Sequence, residues 1–346
     1  MGLRGAGSAA RRLCVRIRVL RAVAHRGRSL LVRFPDGAHP VVVPGRLRAE
    51  GVLPVVGDFV VASPGPDRTV TRVLERRTWL SRNVAGGATA EQVLAANVDV
   101  VFVVQGLDEG PNPRRLERTL AAVHAGGAEP VIILTKPDRA EDLAAALAES
   151  RAVAPAVQVE VASGLTGEGV PALAARLHPD RTGVLVGPSG AGKSTLTNAL
   201  LGREAQRTAP VRASDDRGVH TTSGRELFPL PGGGALVDGP GIRELRLWDA
   251  SGLDATFEDL AAIAARCRFR DCSHWAEPGC AVREAIADGH IDAARVESHR
   301  KLALELARQA ERREGGAARA VEGGVEGAAP AVARAAALRV RGRGPG

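Results

Sequence analysis

Eight consecutive residues, Gly187-Pro188-Ser189-Gly190-Ala191-Gly192-Lys193-Ser194, constrain this chain more than any others. They form a complete phosphate-binding loop. Its glycines let successive backbone N–H groups converge on phosphate oxygens, and the helix that follows directs its positive end to the same place. Lys193 is expected to neutralise the β- and γ-phosphates, and the Ser194 hydroxyl to ligate Mg²⁺. The context agrees: apolar 183–186 reads as a strand and 194–201, which includes Thr195, as a helix. The loop demands a parallel α/β sheet around it.

A second motif lies on the unexpected side. Thr135-Lys136-Pro137-Asp138 precedes the loop by about fifty residues. The Asp138 carboxylate can accept two hydrogen bonds from guanine N1–H and the exocyclic amine, a pattern adenine does not offer. The stem of Lys136 can lie over the base plane. Thr135 stands where Asn is commoner. Ser163 and Gly164, in the run Ala162–Gly169, match the loop that backs guanine, with Gly164 in place of the usual Ala. In an ordinary GTPase the base-reading tetrad follows the phosphate loop. The inverted order therefore implies a circularly permuted GTPase domain, with GTP and GDP as ligands.

After the loop come the switch candidates. Val237-Asp238-Gly239-Pro240-Gly241 is an Asp-x-x-Gly motif. Asp238 is expected to hold Mg²⁺ through water, and the Gly241 N–H to sense the γ-phosphate. The polar stretch 215–224 contains His220-Thr221-Thr222; one of the two threonines, with Thr222 favoured, is expected to reach Mg²⁺ and the γ-phosphate. Position 242 is Ile, where many GTPases carry a water-orienting Gln, and an apolar side chain cannot orient water. Hydrolysis is thus expected to be slow without another residue or a partner. His220 is the catalytic candidate; its alternatives are an RNA contact or a packing role.

Farther on, Cys267-x4-Cys272-x-His274-x5-Cys280 places three thiolates and an imidazole within fourteen residues. Four protein ligands suit a closed, tetrahedral, structural Zn²⁺ site. Reduced thiols in a small core are the alternative reading, and would not call for the histidine. Cys14 lies far away and reads as a small buried hydrophobe.

The rest of the chain is organised around these motifs. Residues 1–13 and 315–346 are expected to be disordered. Residues 14–82 contain about five short β-rich runs (15–23, 29–34, 41–43, 58–62 and 69–74) separated by Pro/Gly turns, which fits a small barrel of OB type; an SH3-like barrel would read much the same. The first 80 residues carry 15 Arg against 5 acids, an excess of +10 in a chain of net charge +8, which points to RNA as the partner of this part. Its weaker alternative is compositional bias, since the chain has only three Lys. Residues 90–247 alternate strands with helices, as a doubly wound α/β domain does. Residues 248–314 read as a helical module holding the Cys/His cluster. No run of eighteen apolar residues and no secretory signal is seen, so the chain is expected to be cytoplasmic, without a membrane partner, and monomeric.

Taken together these motifs resemble the RsgA (YjeQ) family, the circularly permuted GTPases that depend on the small ribosomal subunit. The likeness runs from about residue 14 to 312. It also rests on Glu91–Asp99, Arg114-Arg115-Leu116-Glu117-Arg118, and Glu277–Val282. Departures are Gly239, Gly164 and Ser223, besides the unmatched ends. The resemblance implies an OB domain, a permuted G domain and a C-terminal zinc module. It further implies binding to the 30S subunit and its rRNA late in maturation, stimulation of GTP hydrolysis by that particle, and GTP-dependent release. The runner-up reading is an rRNA-binding scaffold for which GTP is a structural ligand; an ATP-using P-loop kinase is disfavoured by the guanine tetrad.

Overall fold

The computed structural model describes residues 19–26, 29–63, 68–83, 91–110, 112–204, 224–239, 245, 247 and 250–322. Cys14, His220, Thr221, Thr222 and Gly241 lie outside them, as do the expected disordered ends apart from 315–322.

The N-terminal strands are β1 (Val19–Arg26), β2 (Ser29–Phe34), β3 (Gly37–Val41), β4 (Phe59–Ala62) and β5 (Val70–Val73), with a short helix α1 (Gly45–Ala49) between β3 and β4. Strand β1 pairs with both β2 and β4, β2 with β3, and β4 with β5. A parallel bridge between Val42 and Thr69 then links the end of β3 to the start of β5. The strands so close into a ring in the order β1-β2-β3-β5-β4. Leu20, Ala22, Leu30, Val32, Leu47, Val60 and Val70 fill it. The run expected at 41–43 is displaced: Pro35-Asp36-Gly37 turns tightly, so the third strand begins at Gly37.

A hairpin of β6 (Trp79–Asn83) and β7 (Glu91–Ala96) follows. Then come β8 (Val100–Gly106), α2 (Pro113–Ala125), β9 (Glu129–Thr135), α3 (Leu143–Val153), β10 (Gln158–Ala162), α4 (Val170–Arg176), β11 (Thr182–Val186), α5 (Lys193–Leu201), β12 (Gly224–Pro229) and β13 (Ala235–Asp238). Every residue of β8 and of β11 is buried, as expected for strands covered on both faces. Alternate side chains divide between two cores. Val101, Val103, Ile132 and Leu134 face α2 and α3, whereas Val100, Phe102, Val104, Val131 and Ile133 face α4 and α5.

The strand order is β10-β9-β8-β11-β13-β12, with parallel pairing except for the β12–β13 hairpin. The sheet does not stop at β12. Strand β1 pairs with it antiparallel, Ala24 opposite Glu226 and His25 opposite Arg225, so barrel and α/β domain share one sheet. This junction is reinforced by Arg21, which donates to the Thr182 hydroxyl at 2.6 Å and the Asn97 carbonyl at 3.3 Å. Buried Asn97 in turn donates to the Gly57 carbonyl at 3.1 Å.

The C-terminal helices are α6 (Leu253–Thr256), α7 (Glu258–Ala264), α8 (Ala281–Ala287) and α9 (Ala293–Glu322). Helix α9 runs past residue 314, so the boundary placed there by composition is eight residues early; Ala and Arg, which dominate 317–320, are good helix formers. Leu253, Phe257, Leu260, Val282, Ile291, Leu302 and Leu306 form this module's core and pack on Ala121 of α2. Among the described residues no helix is long and apolar enough to cross a membrane.

Candidate functional site

Because β9, β10, β11 and β13 run parallel, their C-terminal ends meet at one edge of the sheet, where open α/β sheets bind ligands. Those ends carry Thr135–Asp138, Ser163–Gly164, the phosphate loop and Asp238. Four segments scattered over about a hundred residues thus converge.

The phosphate loop leaves β11 through Gly187 (φ 143°), where a Cβ would stand 2.2 Å from the Val104 carbonyl oxygen. Only glycine lets the backbone run that close to β8. Gly190 and Gly192 have φ of 81° and 85°, and Gly192 caps α5. Lys193 is 6% exposed and its ammonium bonds the Pro188 carbonyl, folding the side chain back across the loop. Ser194 and Thr195 are half-buried in the first turn of α5. A cavity of about 210 Å³ adjoins the loop, lined by Pro188, Ser189, Gly190 and Ala191 and, opposite them, by Gln105, Gly106, Asp108 and Arg115.

On the base side, Thr135 ends β9 and is buried; its hydroxyl lies 2.7 Å from the Ala191 carbonyl and 3.1 Å from that of Gln105. It thereby ties the segment 135–138 to the loop 187–194. Lys136 takes a left-handed backbone (φ 57°) and its ammonium bonds Asp108. Pro137–Arg139 form one 3-10 turn. Asp138 is largely exposed, its carboxylate 3.4 Å from Arg139 Nε. Ser163 is buried; its backbone N–H donates to Glu168 and its hydroxyl accepts from Thr166 N–H. Gly164 backs directly onto α5, where a Cβ would lie 2.7 Å from Leu196 N. Glycine in place of alanine is therefore required by the approach of this loop to the helix. Asp238 ends β13 nearly buried, and its Oδ1 accepts from Gly239 N–H at 2.7 Å. Gly239, with φ 151°, sits so close to β12 that a Cβ would be 2.7 Å from Arg225 Cα. No Thr or Ser could occupy it in this conformation.

In the C-terminal module the donor atoms of Cys267, Cys272, His274 and Cys280 all lie within 4.8 Å of one another. His274 Nδ1 is 3.5 Å from Cys267 Sγ and 3.6 Å from Cys280 Sγ, and those two sulfurs are 4.0 Å apart. Tetrahedral Zn–S and Zn–N bonds of about 2.3 and 2.0 Å imply edges of roughly 3.8 Å between sulfurs and 3.5 Å between sulfur and nitrogen. The donor set fits that geometry. The thiols do not shift together: desolvation, with the thiols of Cys280 and Cys267 beside it, pushes Cys272 up to about 11, whereas Cys280, against its own desolvation, is held below the ordinary thiol value by the backbone N–H groups of Arg283 and Val282 and by the neighbouring thiols. Glu277 braces the loop, accepting from the Ser273 hydroxyl, from Ser273 N–H at 2.9 Å and from Trp275 and Ala276 N–H at 3.0 and 3.1 Å. Those bonds, led by the Ser273 hydroxyl, hold its pKa down to about 2.

A model of the RsgA GTPase family matches residues 73–248. Over 287 residues, 82% of this chain and 78% of the relative, the sequence is 46% identical to a protein of Methanosarcina acetivorans named small ribosomal subunit biogenesis GTPase RsgA. The protein of that name from Xanthomonas axonopodis pv. citri is 48% identical over 261 residues, 74% of this chain and 70% of its own. The chain belongs to the RsgA GTPase family. Its fold is shared with YjeQ from Thermotoga maritima (TM-score 0.62, 23% identity, 84% of this chain and 98% of that one). YloQ, described as a circularly permuted GTPase, is equally similar (TM-score 0.61, 22% identity, 87% and 99% covered).

The nucleotide-site residues expected from the sequence that lie within the described part of this RsgA-family chain stand at one sheet edge. Two residues that line the adjoining cavity gave no sequence signal. Asp108 follows β8 in a loop without a motif, and Gln105, which positions α2 by accepting from Asn112 N–H, reads as one polar residue in an apolar run.

Proposed function

We propose that this protein hydrolyses GTP to GDP and phosphate in the biogenesis of the small ribosomal subunit, with the subunit stimulating the reaction. The observation that carries the reading is the convergence of a phosphate loop and a guanine-reading tetrad at one sheet edge, in the strand order of a permuted GTPase. The names of relatives 46–48% identical support the ribosomal role.

In this reading the backbone N–H groups of residues 188–193 and the Lys193 ammonium hold the phosphates, while Asp138 and Lys136 select and cover guanine. Ser163 and Gly164 back the base. Thr135 keeps the two halves in register through Ala191. Ser194, Thr222 and Asp238 would hold Mg²⁺, which when bound neutralises charge developing on the phosphates. Gly241 senses the γ-phosphate and His220 helps place the attacking water, a task Ile242 cannot perform. Cys267, Cys272, His274 and Cys280 hold one structural Zn²⁺ that pins the loop between α7 and α8.

The N-terminal ring is of OB type. Its order β1-β2-β3-β5-β4, its parallel β3–β5 bridge and the helix between β3 and β4 support that subtype over an SH3-like one. With its arginine excess it is the rRNA-contacting element, and the protein works as a monomer in the cytoplasm. Strand β12 follows residues 205–223 in sequence and pairs with β1, so a nucleotide-dependent change there would act on the barrel directly.

GTP turnover by purified protein, measured alone and with 30S subunits, tests the reading. A stimulated burst of GTP hydrolysis with no ATP hydrolysis is expected. An unchanged rate on adding 30S subunits would sink it in favour of a scaffold that holds GTP as a structural ligand.

A further inference from the structure

The ammonium of Lys136 does not point free into solvent; it is bonded to the carboxylate of Asp108. We propose that Asp108 is a positioning residue for guanine-nucleotide binding, one that anchors Lys136 so that its stem lies ready as a rail across the base plane. The inference rests on the assignment of Lys136 and Asp138 to the base site.

The topology explains why Asp108 can do this. Strand β8 lies between β9 and β11, so the loop leaving it flanks both the base-reading and the phosphate-binding segments. Asp108 lines the cavity beside Pro188–Ala191 and turns back over Gly106, where a Cβ would lie 2.5 Å from its Oδ1. Lys136 is itself in a left-handed conformation (φ 57°, ψ 52°), which L-residues adopt only at a cost. A free lysine side chain has large rotamer freedom to lose on binding. Fixing its charged end removes that freedom before the nucleotide arrives, while the four methylenes stay available for the base. Asp138, by contrast, is 64% exposed with Arg139 beside it, so the half of the site that covers the base is preorganised more than the half that reads its edge.

The test is a double-mutant cycle in the full chain, titrating a fluorescent N-methylanthraniloyl-GDP probe against Asp108→Ala, Asp108→Asn, Lys136→Ala and the two doubles. Each single Asp108 variant should weaken binding roughly 3- to 10-fold, the range for a partly exposed charged hydrogen bond, with thermal stability retained. In the Lys136→Ala background the same Asp108 substitutions should change affinity less than about twofold, because the group through which Asp108 acts is gone. Equal losses in both backgrounds, or no loss from the Asp108 substitutions in the chain that retains Lys136, would overturn the proposal and leave the base-site assignment intact. If Lys136→Ala alone left binding unchanged, the base-site assignment would fall and this inference with it. Should Asp108→Ala not fold, Asp108→Asn, which keeps the shape and removes the charge, decides.

Discussion

Arg295 of α9 ties α6 and α7 of the C-terminal module to Glu117 and Val153 of the α/β domain, and replacing it by Met should weaken that junction. The guanidinium is 7% exposed. It grips Asp259 with two hydrogen bonds of 2.7 and 2.8 Å, donates to the Thr256 carbonyl at 3.0 Å and to that of Val153, and reaches Glu117 of α2 at 3.3 Å. Its plane also covers Phe257 at 4.7 Å. Methionine fills a similar volume but leaves the carboxylate of Glu117, only 3% exposed, with the Ser298 hydroxyl as its hydrogen-bond donor and, among the described residues, no cation in contact to replace Arg295. Removing one member of a buried ion pair costs about 3–5 kcal/mol, most of it the penalty on the stranded charge. Desolvation already raises the pKa of Glu117 above the ordinary carboxylate value, against the opposing Ser298 hydrogen bond and Arg295 charge. Losing Arg295 must raise it further. A carboxyl whose folded pKa lies above its unfolded value favours the folded state below the unfolded pKa, and that contribution is lost as pH rises through the folded pKa. The destabilisation of Arg295→Met should therefore be greatest at pH 7 and shrink toward pH 5. Urea unfolding at both pH values, followed by far-UV circular dichroism and by tryptophan fluorescence, measures it. Adding Glu117→Gln should recover more than half of the loss at pH 7. A loss under about 1 kcal/mol, or no recovery in the double variant, would refute the argument from buried charge.

Two further outcomes are expected. Asp138→Asn should move nucleotide preference from GTP toward xanthosine triphosphate, read as the ratio of their dissociation constants; an unchanged ratio would remove Asp138 from the base site. Cys280→Ser should lower zinc content, measured by atomic emission, from about one per chain to well below it, and should expose the 267–280 loop to protease while GTP binding persists; full zinc retention would exclude Cys280 as a ligand.

Much of the nucleotide site was legible because its parts are local. A phosphate loop is built from consecutive backbone N–H groups, so the glycines that permit it must be consecutive as well. Apolar runs 98–104 and 131–134 announced strands covered on both faces, and both are. The barrel strands were legible to within a few residues, but their closure was not, since the sequence pattern fits more than one ring. Gly164 and Gly239 read as departures from a pattern, and the structure explains both through backbone contacts with segments distant in the chain.

The sequence by itself determined the family and the motifs: the loop at 187–194, the tetrad at 135–138, their inverted order and the Cys/His spacing each depend on residues near one another in the chain. Tertiary structure alone decided what those parts are joined to. The pairing of β1 with β12 makes one sheet of two domains through main-chain hydrogen bonds, which any sequence of strand character can make and which leave no side-chain signature. The grip of Asp108 on Lys136 spans 28 residues and that of Arg295 on Glu117 spans 178. Ordinary charged residues in unremarkable loops and helices become partners only when folding brings them within reach and removes the water between them.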